Sequence, residues 1–150
     1  MKRRIVFLFA VLAISMAALA QTPVKWRLSV NMSSQTEGEV VLRAVVEPGW
    51  HLYSTQLPDG GPKPTQITFD APGVKFKGNI RANRKLITKD DHMFGLKLSW
   101  WDGNVEFRRK FKIENAAQAT RIGVTVSFMA CNDENCMPPK TETLTYTFSK

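Results

Sequence analysis

From Lys25 onward the chain alternates between apolar and polar residues. Trp26, Leu28, Val30 and Met32 interleave with Lys25, Arg27, Ser29 and Asn31. Val40, Leu42, Ala44 and Val46 repeat the pattern, as do Val105, Phe107, Phe111 and Ile113. So do Ile122, Val124, Val126 and Phe128, and finally Leu144, Tyr146 and Phe148. Period two belongs to β-strands: successive side chains leave opposite faces, so each segment has one apolar and one polar face. Shorter candidates lie at residues 51–54, 66–69, 85–88 and 95–101. Pro48-Gly49, the Pro58 to Pro62 segment, Pro72-Gly73 and Asp102-Gly103 mark turns between them. No helical period is sustained after residue 20. Many short strands with one apolar face each require two antiparallel sheets packed face to face.

The length of 150 residues suits one domain, with no internal repeat and no second domain. Apolar residues make up 43% and charged residues 23%, which is ordinary globular usage and excludes a disordered chain. There is no phosphate-binding loop, no HExxH and no GxSxG, so the enzyme classes built on them lose their sequence support. The N-terminus reads as an export signal over residues 1–20, leaving a mature domain over 21–150. Lys2, Arg3 and Arg4 precede an uncharged apolar run, and Ala18-Leu19-Ala20 supplies a small-x-small cleavage site before Gln21. Removing those three cations from the 21 Lys+Arg leaves 18 against 13 Asp+Glu, so the formal charge falls from +8 to +5. Both charge and compartment argue against nucleic acid as a partner. Export also places the two cysteines where disulfides form.

Those cysteines lie in Phe128-Met129-Ala130-Cys131-Asn132-Asp133-Glu134-Asn135-Cys136-Met137-Pro138-Pro139. Asn132, Asp133 and Asn135 favour a turn that brings the sulfurs together. Pro138 and Pro139 donate no backbone N–H, which places the pair at a sheet edge or sandwich end. Carrying the parity of Ile122 to Phe128 forward puts Ala130 on the core face and Cys131 off it, so Cys131 is expected to be reachable rather than buried. Three readings stay open on local chemistry. One is a structural disulfide, although so small a ring stabilises by only about 2 kcal/mol in the loop-entropy treatment. Another is a redox-active pair that exchanges thiols with other proteins. The third is a soft-metal site built from Cys131, Cys136, Met137 and His92 or Met93. Asp133 and Glu134 inside the ring disfavour a thiolate, so a redox pair at this turn needs a partner to align the sulfurs.

Three stretches in the same order resemble a known family. The segment from Cys131 to Cys136 with Met137-Pro138-Pro139 is similar to the active-site stretch of the N-terminal periplasmic domain of the thiol:disulfide interchange protein DsbD. Gly49-Trp50-His51-Leu52-Tyr53-Ser54 resembles that family's Gly-aromatic-x-Leu-Tyr strand, and Asp90-Asp91-His92-Met93-Phe94-Gly95 resembles its cap loop. The resemblance runs over residues 25 to 148. It implies an all-β, immunoglobulin-like antiparallel β-sandwich that receives electrons and passes them to periplasmic oxidoreductases. By the same resemblance Cys136 forms the mixed disulfide with partners and Cys131 resolves it. The cap of Asp91, His92, Met93, Phe94 and Gly95 lies over the pair, with Phe94 or Met93 shielding sulfur. No cofactor and no metal are implied. The expected partners are periplasmic thioredoxin-like or disulfide-isomerase-type proteins. A free-standing domain of this kind takes its electrons from a separate protein, a membrane or thioredoxin-like donor. The spacing between the cysteines is one residue shorter than the family's usual pattern, and His92 and Met93 stand where the family has an acid and an aromatic. The competing class is a non-catalytic binding or adaptor sandwich with a structural Cys131–Cys136 bridge.

The remaining features read as ordinary. His51 and the aromatics Trp50, Tyr53, Trp100 and Trp101 read as packing or edge residues. Arg109 interrupts the parity between Phe107 and Phe111 and reads as a snorkelling side chain at a sheet margin. Lys75, Lys77, Arg81, Arg84 and Lys85 read as a solvated basic face, with docking to an acidic partner as the sharper alternative.

Overall fold

A computed structural model describes residues 22–149, so the expected export signal over 1–20 lies outside the described residues. The strands in chain order are β1 (Val24–Met32), β2 (Glu37–Val46), β3 (His51–Tyr53), β4 (Gln66–Asp70), β5 (Val74–Ala82) and β6 (Ile87–Asp91). They continue as β7 (Leu96–Asp102), β8 (Val105–Ile113), β9 (Arg121–Phe128), β10 (Ala130–Cys131) and β11 (Lys140–Thr147). All pair antiparallel, in three hydrogen-bonded sheets ordered β1-β2-β8-β5, β10-β3-β7-β6 and β11-β9-β4. The fold is an all-β, immunoglobulin-like antiparallel sandwich.

The apolar parity of the strands becomes one continuous core. Trp26, Leu42 and Phe107 of the first sheet meet Val124, Val126 and Phe128 of β9 and Leu52 of β3, all buried. The Trp26 and Phe128 rings meet edge-on at 5.3 Å, and Trp101 of β7 meets Phe107 at 5.1 Å. Each such side chain stabilises the fold by about 1.5–3 kcal/mol through burial. Asn104 closes the entry to β8, its Oδ1 accepting the Val46 N–H at 3.0 Å.

One long strand, β5, escapes the alternation reading. Val74 and Phe76 point inward with Lys75 and Lys77 outward, but the register with β8 shifts between Lys77 and Arg81. Gly78 sits at φ 63° in that bulge, a backbone region that glycine enters without strain. Ile80 and Ala82 then resume contact with the core. The bulge explains Arg109. Its Nε donates to the Gly78 carbonyl at 3.0 Å, and its guanidinium lies over the Phe76 and Phe69 rings at 5.2 and 5.5 Å. The arginine therefore caps the apolar edge that the bulge opens.

The chain changes sheets at Met129. Before it, β9 pairs with β11 and β4; after it, β10 pairs with β3. That crossing carries Cys131 out of the long β9 strand and onto the edge of the β10-β3-β7-β6 sheet.

Candidate functional site

On the short strand β10 the two faces part company. Ala130 joins the main core, whereas Cys131, one residue on, joins a second cluster with Tyr53 and Leu98. Leu52 and Tyr53 divide in the same way on β3. Parity thus places Cys131 off the main core, as the sequence implies, but the expectation of a reachable sulfur is wrong: Cys131 is 0% exposed. The reason is that the outer face of this sheet is itself covered. Leu57, Phe94, Leu96, Trp100 and Met129 pack over the cluster, and no periodicity within residues 122–131 could report a cover drawn from elsewhere.

Cys131 and Cys136 are joined by a disulfide, with their Cα atoms 4.0 Å apart. The turn between them is built by Asn132, whose Oδ1 accepts the Glu134 and Asn135 N–H groups at 2.9 and 2.6 Å. The Asn132 N–H donates to the Asn135 carbonyl at 2.8 Å, and the Met137 N–H donates to the Ala130 carbonyl at 2.9 Å. The ring is therefore a hairpin end on an edge strand, followed by exposed Pro138 and Pro139. Cys136 is only partly buried, unlike Cys131.

Residues 91–95 form the hairpin end between β6 and β7. Asp91 shapes it: its Oδ1 accepts the Met93 and Phe94 N–H groups at 2.9 and 3.0 Å, and its carbonyl accepts the Gly95 N–H at 2.8 Å. Gly95 closes the turn at φ 65°. This geometry separates the two residues that the sequence leaves equivalent. Phe94 turns inward against the Tyr53, Leu98 and Cys131 cluster, its ring edge-on to Tyr53 at 6.3 Å. Met93 is 41% exposed, and His92 is exposed as well.

The site also contains His51 and Tyr53, which the sequence offers only as packing or edge residues of the Gly49–Ser54 stretch. His51 lies directly opposite Cys131 in the β3–β10 pairing and stacks on Trp100 at 4.6 Å. Burial lowers its pKa, against the opposing pull of Asp102, Asp91 and Asp133. Tyr53 is fully buried, and burial first, then the Asp91 carboxylate, pushes its phenol well above the ordinary range. Its backbone is held by the Thr65 hydroxyl, which donates to the Tyr53 carbonyl at 2.6 Å. The sequence signal for both residues is the alternation of 51–54, which puts His51 and Tyr53 on one face. A cleft of about 400 Å³ runs beside the bridge, lined by His51, Trp100, Asp91, Asp102, Asn132 and Asp133 among others. Among the described residues no three His, Cys, Asp or Glu side chains converge in a metal-binding group.

The family model for the N-terminal domain of the thiol:disulfide interchange protein DsbD matches residues 16–147. The chain belongs to that family. Among solved structures it is similar to the N-terminal periplasmic domain of ScsB from Proteus mirabilis, at 16% identity and a TM-score of 0.62. That match covers 85% of this chain and 47% of the other, so the chain spans about half of the ScsB structure. The DsbD N-terminal domain of Neisseria meningitidis, in its reduced form, matches at 14% identity and a TM-score of 0.49, covering 83% of this chain and 86% of that one. The GAE domain of yeast GGA1 matches at 9% identity and a TM-score of 0.48, covering 88% and 96%. Among curated proteins no sequence matches this chain.

Proposed function

We propose that this chain is an exported thiol–disulfide exchange domain that relays electrons through Cys131 and Cys136 to periplasmic thioredoxin-like or disulfide-isomerase-type proteins. Family membership supports the class of chemistry. The observation that carries the assignment of roles is the asymmetry of the pair: Cys136 sits partly exposed at the rim, and Cys131 lies buried beneath Phe94. In the reduced domain the Cys136 thiolate attacks a partner disulfide, forming a mixed disulfide and expelling one partner thiolate, which takes a proton. The Cys131 thiolate then attacks Cys136 Sγ and releases the second partner thiolate, which is protonated in turn. Two electrons pass to the partner and the Cys131–Cys136 bridge is restored. A membrane or thioredoxin-like donor reduces the bridge by the reverse sequence.

Phe94 and the Asp91 turn act as a cap in this reading. A closed cap keeps the reduced pair from small oxidants, and a docking partner displaces it. The carboxylates of Asp133 and Glu134 inside the ring oppose thiolate formation, so the domain reacts slowly alone. The test is covalent trapping in a periplasmic extract. Cys131→Ser should accumulate mixed disulfides through Cys136, and Cys136→Ser should accumulate few. Equal trapping by both variants, or none by either, contradicts this assignment of roles.

A further inference from the structure

The outer face of the β1-β2-β8-β5 sheet carries a charge pattern that folding does not account for. In register, Arg27 lies opposite Arg43, and Arg108 lies opposite Arg81. Lys110 likewise opposes Lys77, and Lys112 opposes Lys75. Like charges directly across an antiparallel pair destabilise a sheet, and here four such pairs share one face. Carboxylates offset only part of this. Glu37 pairs with Lys77, Glu114 with Lys75, and Glu39 and Glu106 both hold Arg108. Among the described residues Arg27, Arg43, Arg81, Lys110 and Lys112 make no ion pair within 4 Å, although Glu106, Glu39 and Glu37 stand opposite Arg43, Lys110 and Lys112 across the β2–β8 pairing. At the β5 bulge a cleft of about 320 Å³ gathers Lys77, Arg81, Arg108 and Lys110 with Asn79, Asn83 and one carboxylate, Glu39, which is held by Arg108.

The shape of the array selects its partner. Facing residues on neighbouring strands stand about 5 Å apart, and same-face residues along a strand about 7 Å apart. Cations therefore stand on all four strands and outnumber the carboxylates among them, Glu37 and Glu39 on β2 and Glu106 on β8. No Trp, Tyr or Phe faces outward on these four strands. Protein docking patches centre on buried aromatic anchors, and single-stranded nucleic acid sites use stacking aromatics. A flat cationic plane with neither complements a layer of phosphates. The basic stretch therefore points to a surface of lipid phosphates rather than to the acidic partner that the sequence suggests.

We propose that the outer face of the β1-β2-β8-β5 sheet docks the domain electrostatically on an anionic phospholipid surface, with a lipid phosphate seated in the Lys77, Arg81, Arg108 and Lys110 cleft. Cys131 lies on the outer face of the β10-β3-β7-β6 sheet, beyond the shared core, so docking leaves the bridge free. The inference does not depend on the redox reading.

Vesicle flotation of the mature domain, residues 21–150, tests it, comparing phosphatidylcholine vesicles with vesicles carrying about 30% phosphatidylglycerol. The parent should prefer the anionic vesicles, and the preference should collapse between about 50 and about 300 mM salt. Removing one membrane-facing cation weakens such binding about fivefold, so the triple variant Arg81→Gln, Lys110→Gln, Lys112→Gln should lose about 100-fold. The control Lys63→Gln, Lys85→Gln, Lys97→Gln removes the same charge off this face and should keep most of the binding. The face variant should melt close to the parent, because Lys110 and Lys112 each face one like charge and one carboxylate across their two strand pairings. Lack of anionic preference in the parent, or equal losses in the two triples, would overturn the proposal. Tighter binding to a single-stranded oligonucleotide than to the anionic vesicles in the same salt would overturn it in favour of nucleic acid.

Discussion

Truncating the cap at Phe94 should accelerate reduction of the bridge without a matching loss of fold stability. A phenylalanine side chain covers about 150 Å² when packed. Phe94 is partly buried and lies in a turn, so opening the cap re-exposes about half of that, about 75 Å². At about 25 cal/mol per Å² the closed cap is held by about 2 kcal/mol from this ring. Phe94→Ala should therefore raise the open population about 20-fold, and with it the rate at which a small reductant reaches the sulfurs. The assay is reduction by excess phosphine, quenched by alkylation and read by mass. A control separates cap opening from general destabilisation. Val124→Ala truncates a fully buried core residue outside the Tyr53–Leu98–Cys131 cluster, at a comparable or larger cost in stability. It should leave the reduction rate within about twofold of the parent, because the rate follows cap opening rather than global unfolding. A Phe94→Ala rate within about twofold of the parent, or a Val124→Ala rate equal to that of Phe94→Ala, would refute the reasoning.

Other outcomes follow from the same geometry. Asp91→Ala removes the acceptor for the Met93 and Phe94 N–H groups and should speed reduction about fivefold, whereas Asp91→Asn keeps a carbonyl acceptor and should change it little, by the same phosphine assay. His51 has a folded pKa below its unfolded value of 6.5. Its contribution to stability is fully present above pH 6.5 and lost as the pH falls below it, so urea melts should weaken on acidification and His51→Gln should flatten that slope. Tyr53 has a raised folded pKa, so its contribution is present below its unfolded value near 10.0 and lost as the pH climbs above that. An absorbance titration of the folded protein should therefore show no loss of signal near pH 10 when Tyr53 is replaced by Phe.

The strands are legible in the sequence where burial is one-sided. Ile122, Val124, Val126 and Phe128 alternate strictly because one face of β9 meets the core and the other carries Thr125 and Ser127. β5 is not legible, because the bulge at Gly78 shifts the register and hides the inward run of Val74, Phe76, Ile80 and Ala82. The cysteine turn is legible from Asn132, whose side-chain chemistry is local, and the edge position from the two prolines after it. The burial of Cys131 is not, because Tyr53, Phe94 and Leu98 come from strands and turns far along the chain. The choice of Phe94 over Met93 rests on hydrogen bonds to Asp91 Oδ1, which composition does not report. His51 escapes notice for the same reason: its place opposite Cys131 is a property of pairing register.

The claim that the bridge is an electron carrier rather than a staple is tested most directly by its reduction potential. Redox-buffer titration of the Cys131–Cys136 pair, with alkylation and mass readout, supplies it. An electron carrier should fall in the range of working oxidoreductases, about −180 to −270 mV. A value below about −300 mV, where structural disulfides lie, would contradict the electron-relay function.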